Sequence, residues 1–517
     1  MPKSRDEIQA KLHGLEEQVL QGEPKAVERQ HAEGKLTARE RIEALLDTGS
    51  FVEEFMLAET HVTEFGMAAR RRPGDGVIVG HGTVEGRPVY VYAQDWTVMA
   101  GTVGSAHGDK ITYAIEQALK LNMPVVGLWD SAGARIQEGL DVTRAIGKIF
   151  FANSIASGAI PQISAIMGPC IGVGSYSPAL TDLVVMVKGT SQMFITGPAV
   201  LKEVLGEEVT MEELGGAKVH GEVSGCADLV AQDDGDCLAR IRRLLSFLPS
   251  SCNDLAPRLE TGDDSERLLD GVDQLVPADL RKPYNIVKVI ERIVDDGEFF
   301  ELKPRWARNM VVGFARLDGR SVGFVANQPM FLAGSIDVDG ADKAARFIRL
   351  CDAFNIPLVT LVDVPGFLPG LKQEQAGIIR HGAKMLYAYS EATVPKITLY
   401  LRKGYGGAKQ AMCTRELGAD QLLLWPGVEL AVMGAEGAVN VLYRREIEAA
   451  DDPEAVRREK IEEFGERFSG PFEAVAKQFA HAAIEPRETR RRLIKALRLL
   501  EHKHEERPRK KHDVMPV

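Results

Sequence analysis

Residues 124–133 read PVVGLWDSAG and residues 357–366 read PLVTLVDVPG. Both are short apolar runs opened by proline and closed by aspartate and a glycine turn, the signature of a buried strand. Their aspartates, Asp130 and Asp363, lie 233 positions apart, and that offset recurs on both sides. Gly86-Arg87 maps onto Gly319-Arg320, Ala100-Gly101 onto Ala333-Gly334, Asp109-Lys110 onto Asp342-Lys343, and Asn122 onto Asn355. Agreement at one register over such a span marks a duplication, so the chain reads as two copies of one domain. A duplicated fold invites a site shared between copies, within one chain or across a dimer.

The order of elements gives the fold class. In the first copy, β-branched residues cluster at 77–79, 82–84 and 89–92, split by glycine-containing turns. Ile111, Ile115, Leu119 and Leu121 follow near helical spacing, and the buried strand 125–129 comes next. The second copy repeats the order with a strand at 322–326, a helix at 341–354 and a strand at 358–362. Strand, strand, helix, repeated, describes a winding α/β architecture. Residues 252–284 are rich in Asp, Pro and Gly with little periodicity, which places the junction there and the domains at 1–255 and 256–517. Before the first copy, residues 5–30 carry Ile8, Leu12, Leu15, Val19 and Leu20 at helical spacing, and Thr37-Ala-Arg-Glu spells a capping box. This segment is expected to be an arm packed on the body or on a neighbouring subunit.

Composition narrows the function. A net charge of −11 argues against a nucleic-acid binder, and the basic segment 487–512 reads as an amphipathic helix packed through Leu493, Ala496, Leu497 and Leu500. No apolar run approaches the roughly 20 residues of a membrane span, and residues 1–22 are polar, unlike a secretory signal, so a cytoplasmic protein is expected. Six scattered cysteines form no C-x-x-C pair and the histidines form no H-E-x-x-H, so neither a disulfide framework nor a metal is expected.

In each copy a further strand follows, from Pro161 and from Pro395, and runs into small residues: 167–174 (MGPCIGVG) and 403–408 (KGYGGA). Such stretches expose backbone N–H groups, and a helix starting there favours an oxygen that carries negative charge. Two matching loops of this kind read as two oxyanion holes. Neither carries the P-loop pattern or a dinucleotide fingerprint, and no G-x-S-x-G elbow supplies a serine nucleophile. His107, His220 and His381 are each a possible base, while Asp130 and Asp363 read as turn-fixing residues.

With these stretches in hand, the sequence resembles the carboxyltransferase subunits of biotin-dependent acyl-CoA carboxylases and decarboxylases, the propionyl-CoA carboxylase β and methylmalonyl-CoA decarboxylase α family. The resemblance runs through 35–41 (KLTARER), 133–139 (GARIQEG), 176–182 (YSPALTD), 363–370 (DVPGFLPG), 378–384 (IIRHGAK) and 432–438 (VMGAEGA). It implies two tandem crotonase (ClpP-like) domains of stacked β-β-α units in a homohexamer, with the N-terminal domain facing acyl-CoA and the C-terminal domain facing biotin. It implies transfer of a carboxyl group from carboxybiotin to the α-carbon of a short- or medium-chain acyl-CoA such as propionyl-CoA. The alternatives are the reverse transfer by a methylmalonyl-CoA decarboxylase α-subunit and a catalytically silent paralogue in a mixed oligomer. No biotinylation motif is present, so a separate biotin carboxyl carrier protein and a biotin carboxylase subunit are the expected partners, with no metal.

By motif, the resemblance places the first oxyanion pair on Gly172 and Val173 and the second on Gly407 and Ala408. Substrate contacts fall on Gly133, Ala134, Arg135 and Gln410, the last setting acyl-chain preference. Biotin contacts fall on Gly366, Phe367, Gly377 and Ile378. Where relatives read CAGGAVYSP this chain reads CIGVGSYSP, so Ile171 and Val173 are expected to reshape the acyl pocket.

Overall fold

The computed structural model describes residues 4–468 and 470–517, and for residue 173 and residues 464–468 the backbone alone. The chain divides into two compact units between Leu255 and Ala256.

The first unit holds strands β1 (Val52–Glu54), β2 (Val77–Val84), β3 (Arg87–Gln94), β4 (Val125–Ser131), β5 (Gln162–Ile171), β6 (Leu183–Val187), β7 (Gln192–Phe194) and β8 (Leu229–Ala231). They form one sheet in the order β1-β2-β3-β4-β5-β6-β8, with β7 beside β5. The second unit holds β9 (Phe299–Leu302), β10 (Met310–Leu317), β11 (Arg320–Asn327), β12 (Leu358–Val364), β13 (Lys396–Tyr405), β14 (Gln421–Leu424), β15 (Glu429–Ala431) and β16 (Ala482–Ala483). Its order is β9-β10-β11-β12-β13-β14-β16, with β15 beside β13. In both units the first three strands are antiparallel and the rest parallel, the layout of a mixed α/β domain of β-β-α units.

The repeat extends to single residues. The helices Ser105–Leu121 and Val338–Ala353 precede the central strands β4 and β12, and both are followed by an asparagine with positive φ, Asn122 at 53° and Asn355 at 55°. Asparagine tolerates that conformation, and the proline two residues on prevents the helix from continuing. Strands β4 and β12 are buried along their whole length, as expected of parallel strands covered on both faces. The Ala-Gly repeats have a packing cause. A Cβ on Gly101 would lie 2.3 Å from the Asp130 carbonyl oxygen, and one on Gly334 2.6 Å from that of Asp363.

Two expectations are corrected. The segments 77–79 and 82–84 are one strand, β2, whose Gly80 leaves room for β1: a Cβ there would sit 2.1 Å from the Val52 carbonyl oxygen. The small-residue stretches are shorter loops than expected, because β5 continues to Ile171 against β7 and β13 to Tyr405 against β15. At the N-terminus the helix Arg5–Gln21 buries no side chain, while Thr37 makes the expected capping box with Glu40. The basic C-terminal segment forms the helix Thr489–Leu499 with Leu493, Ala496 and Leu497 buried.

His107 sits buried inside the first unit, its Nε2 3.2 Å from the Gln94 amide and its Nδ1 3.0 Å from the Asp75 carbonyl. Burial, then the Arg135 charge, holds its pKa well below the ordinary 6.5. The folded state therefore keeps it neutral while the unfolded chain takes up a proton, so its contribution is full above 6.5 and is lost as pH falls below it. His107→Gln keeps a polar partner for Gln94 and removes that titration. Denaturation of both proteins between about pH 7 and pH 5 should show a stability gap that narrows with acid; a constant gap rules out this account.

Candidate active site

Each central strand ends in a buried aspartate. In β4 the Asp130 carboxylate accepts hydrogen bonds from Arg41 Nη1 (3.0 Å) and Gln30 Nε2 (3.0 Å), with Lys35 Nζ at 3.5 Å. In β12 the Asp363 carboxylate accepts from Arg402 Nε (2.8 Å) and the Lys403 backbone N–H (3.3 Å). Their own N–H groups donate to matched amide oxygens, Gln94 (3.3 Å) and Asn327 (3.2 Å). Both carboxylates are paired with buried cations inside their units and anchor the turn that follows.

The arginine that does this differs between units. In β13 it comes from the strand itself, Arg402, whose Nη1 also donates to the carbonyls of Pro277, Asp279 and Lys282. The matching position in β5 is Gly168, where a Cβ would lie 1.9 Å from Asp130 Oδ1. There the charge comes from the arm: Arg41 also donates to Asp234 Oδ2 (2.8 Å) and to the Met167 carbonyl of β5 (3.0 Å). The KLTARER stretch is thus a clamp, with Lys35 and Arg41 on Asp130 and the Leu36 N–H on Asp234.

Past each aspartate the pairing with the next strand shifts register, and the chain turns outward. In the first unit Gly133, at φ +96°, lies against the end of β5; a Cβ there would be 2.8 Å from the Ile171 carbonyl oxygen. Ala134 bridges to Val103. Gly172 opens the next turn at φ +71°, and the Ser175 hydroxyl donates to its carbonyl at 2.6 Å. The Val173 side chain lies outside the described residues.

In the second unit Gly406, at φ +59°, opens the helix Gly406–Ala411. Its N-cap Tyr405 makes no side-chain cap, so the first-turn N–H groups, Gly407 and Ala408 among them, are left for an incoming acceptor. Gly407 is exposed and Ala408 buried. A Cβ on Gly407 would meet only the Phe367 ring, at 3.8 Å, and the same ring lies 2.9 Å from where a Gly382 Cβ would be. Gly366 (φ +157°) precedes that ring, and Gly377 (φ +87°) is the N-cap of the helix Ile378–Glu391. The Ile378 side chain is buried, which leaves its backbone as the group it can offer. Because β5 and β13 correspond residue for residue, Gly172 is equivalent to Gly406 in its own unit, and Val173-Gly174 to Gly407-Ala408. The two expected donor pairs are therefore staggered by one residue.

Arg135 corrects an expectation. It is 2% exposed and uses all five N–H donors within the unit: Nε to the Thr102 hydroxyl, Nη1 to Asp75 and Glu138, Nη2 to the carbonyls of Asp75 and Thr102. It has no donor left for a substrate anion. Gln410 lines a cavity of about 300 Å³ in the second unit, its Oε1 2.6 Å from the Thr414 hydroxyl.

A carboxyl transferase domain is matched over residues 29–515. The chain belongs to the carboxyl transferase family. This carboxyl transferase is 52% identical over 499 residues to the methylmalonyl-CoA decarboxylase α-subunit of Propionigenium modestum, covering 96% of each chain. It is 52% identical over 513 residues to the propionyl-CoA carboxylase carboxyltransferase subunit of Haloferax mediterranei, covering 99% of each. Among solved structures, transcarboxylase 12S with methylmalonyl-coenzyme A and methylmalonic acid bound, described as a hexamer assembly, matches with a TM-score of 0.97 at 49% identity over 100% of this chain and 99% of that one.

The two remaining candidate histidines of this carboxyl transferase are occupied. His220 lies 2.6 Å from the Met193 carbonyl and 2.7 Å from the Ser224 hydroxyl, and His381 sits between Asp342 (2.8 Å) and Lys384 (3.1 Å). Among the described residues no group of three or more His, Cys, Asp or Glu is placed to hold a metal ion, and no helix is long and apolar enough to cross a membrane. Sequence reasoning missed the Arg41 clamp, whose members are far apart in the chain. It also missed a cavity of about 500 Å³ in the first unit lined by Arg39, Arg70 and Arg72. The run Arg70-Arg71-Arg72 was the available signal.

Proposed function

We propose that this chain is the carboxyltransferase subunit of a biotin-dependent acyl-CoA carboxylase acting on a short acyl-CoA, with propionyl-CoA first among candidates. The observation that carries the reading is the duplication of one device: a buried strand that ends at a positive-φ glycine, Gly172 in one unit and Gly406 in the other. Carboxyl transfer to a thioester α-carbon develops negative charge on two oxygens, and two sets of fixed backbone donors stabilise both without reorganisation. Gly172 and Val173 would face the thioester oxygen, next to Gly133 and Ala134. Gly407 and Ala408 would face the second oxygen, with Phe367, Gly366 and the N-terminus at Gly377-Ile378 holding the biotin ring system. Carboxybiotin, borne on a separate carrier, supplies the carboxyl group. The chain's own groups bind, orient and exclude water, which fits candidates Asp130, Asp363, His107, His220 and His381 that are all committed elsewhere.

The Propionigenium and Veillonella decarboxylase α-subunits, at 52% and 51% identity, favour the opposite net direction as a second reading. Both directions pass through one transition state, so one set of donors serves them. By analogy with transcarboxylase 12S the chain assembles as a hexamer, and it works in the cytoplasm beside its carrier and biotin carboxylase partners.

The deciding test is transfer of labelled carboxyl from carboxybiotin across acetyl-, propionyl-, butyryl- and longer acyl-CoAs, with release from methylmalonyl-CoA as the reverse assay. Labelled product from propionyl-CoA sustains the reading. No product in either direction from an intact oligomer sinks it and leaves the silent paralogue.

The arginine-lined cavity of the first unit is assigned to the phosphates of CoA. Arg39 is tied to Glu53 (2.9 Å), whereas Arg70 has no ion-pair partner among the described residues. Arg70→Glu should raise KM for acyl-CoA about tenfold with kcat retained, the mark of lost uniform binding. An unchanged KM moves the phosphates elsewhere.

A further inference from the structure

The glycines that open the two donor turns have the same kind of neighbour. In the first unit the Ile195 carbonyl oxygen lies 3.9 Å from where a Gly172 Cβ would be, and in the second the Val432 carbonyl oxygen lies 3.2 Å from where a Gly406 Cβ would be. Ile195 and Val432 each follow a three-residue strand, β7 or β15, that pairs with the last residues of β5 or β13. The short strand therefore forms one wall of the donor turn in both units. A strand of this kind, paired along one edge, leaves a second row of backbone groups to be held by something else. In the second unit an anchor comes from the neighbouring strand: the Tyr405 hydroxyl donates to Glu429 of β15 at 2.5 Å. In the first unit Ile171 stands at the place of Tyr405 and Gln192 at that of Glu429, so the bond has no counterpart.

His220 supplies the anchor there. Met193 is the middle residue of β7, and its carbonyl accepts from His220 Nε2 at 2.6 Å. A carbonyl oxygen only accepts, so Nε2 carries a proton whether the ring is charged or neutral. The ring is itself held from the other side. Its Nδ1 lies 2.7 Å from the Ser224 hydroxyl, whose oxygen accepts from the Cys226 N–H at 3.3 Å, and the Ala227 N–H donates to the His220 carbonyl at 3.1 Å. Gly215 permits the close approach, since a Cβ there would lie 2.2 Å from the Met193 carbonyl oxygen, and Gly216 bridges to Gln192. We propose that His220 is a positioning residue for the first donor turn: it holds Met193, Met193 fixes β7, and β7 fixes the wall on which Gly172 stands. The proposal rests on the carboxyltransferase reading above and deepens it, and His220 transfers no proton in it. Misplacing a reacting geometry by about 1 Å from a distance costs about a hundredfold, so such an anchor is felt in kcat.

The test compares His220→Phe with His220→Gln in the full-length oligomer. Phenylalanine fills the space without a donor, whereas glutamine carries an N–H to nearly the place of Nε2. With propionyl-CoA and carboxybiotin, His220→Phe should lower kcat about tenfold with KM within about twofold, and His220→Gln should recover kcat to within about threefold of wild type. The pH profile of kcat should keep its shape in His220→Gln, because an anchor need not titrate. Equal losses in the two variants, or a limb of the profile that disappears with the ring, overturn the proposal. Amide hydrogen exchange needs no turnover and so separates this proposal from the carboxyltransferase reading. Exchange at 172–175 and 192–195 should rise in His220→Phe and return toward wild type in His220→Gln. No rise at these residues, or a rise spread evenly over the whole unit, overturns the anchor. A wild type inactive in both directions, with the local exchange pattern present, sinks the carboxyltransferase reading and leaves the anchor standing.

Discussion

Arg41→Met should lower the melting temperature of the first unit by about 10 °C, the largest stability loss expected of a single substitution in this chain. Arg41 is fully buried and bonds Asp130, Asp234 and the Met167 carbonyl at 2.8 to 3.0 Å. Methionine fills similar volume but leaves two buried carboxylates short of a counter-ion, with only Lys35 and Gln30 remaining on Asp130. Breaking a buried pair by removing one partner costs about 3–5 kcal/mol, chiefly because the stranded charge is desolvated.

The pH dependence tells a charge effect from a packing effect. Burial already raises the Asp234 pKa against the pull of Arg41, and without Arg41 it rises further. The folded variant then binds a proton that the unfolded chain releases, so its deficit shrinks as pH falls. Arg41→Lys should be intermediate, since one ammonium cannot reach three acceptors. Calorimetry on the intact protein checks this; a shift under about 2 °C, or a deficit that grows in acid, sinks the clamp.

Gly407→Val should cut kcat by about 10² to 10³ while the fold stays intact. The two effects separate because of where Gly407 sits. Its φ is not among the positive ones, it is exposed, and a Cβ would meet only the Phe367 ring at an ordinary 3.8 Å. The backbone accommodates the side chain, and the branched methyls then occupy the space from which an oxygen approaches the N–H groups of the first turn. Gly407→Ala should lose less, in proportion to the smaller bulk. The expected pattern is a fall in kcat with little change in KM for acyl-CoA, because the donors act on charge that develops in the transition state. A kcat within threefold of wild type, from an oligomer that melts normally, would remove the helix at Gly406 from the catalytic site.

Two copies were legible in residues 124–133 and 357–366, the β-β-α order in the patterns around them and the junction in the composition of 252–284, because strand period, proline stops and asparagine caps act over a few neighbours and are written locally. The long motifs carried the family, and with it the proposed addresses of both donor loops. Composition and local pattern could not show that Asp130 takes its charge from Arg41, 89 residues away, while Asp363 takes it from Arg402 on the neighbouring strand. Nor could they show that Arg135 has no donor left or that Thr414 bonds the Gln410 amide. The charge of a residue is a property of its type, but whether that charge is spent or available depends on which groups the tertiary packing brings within about 3 Å of it.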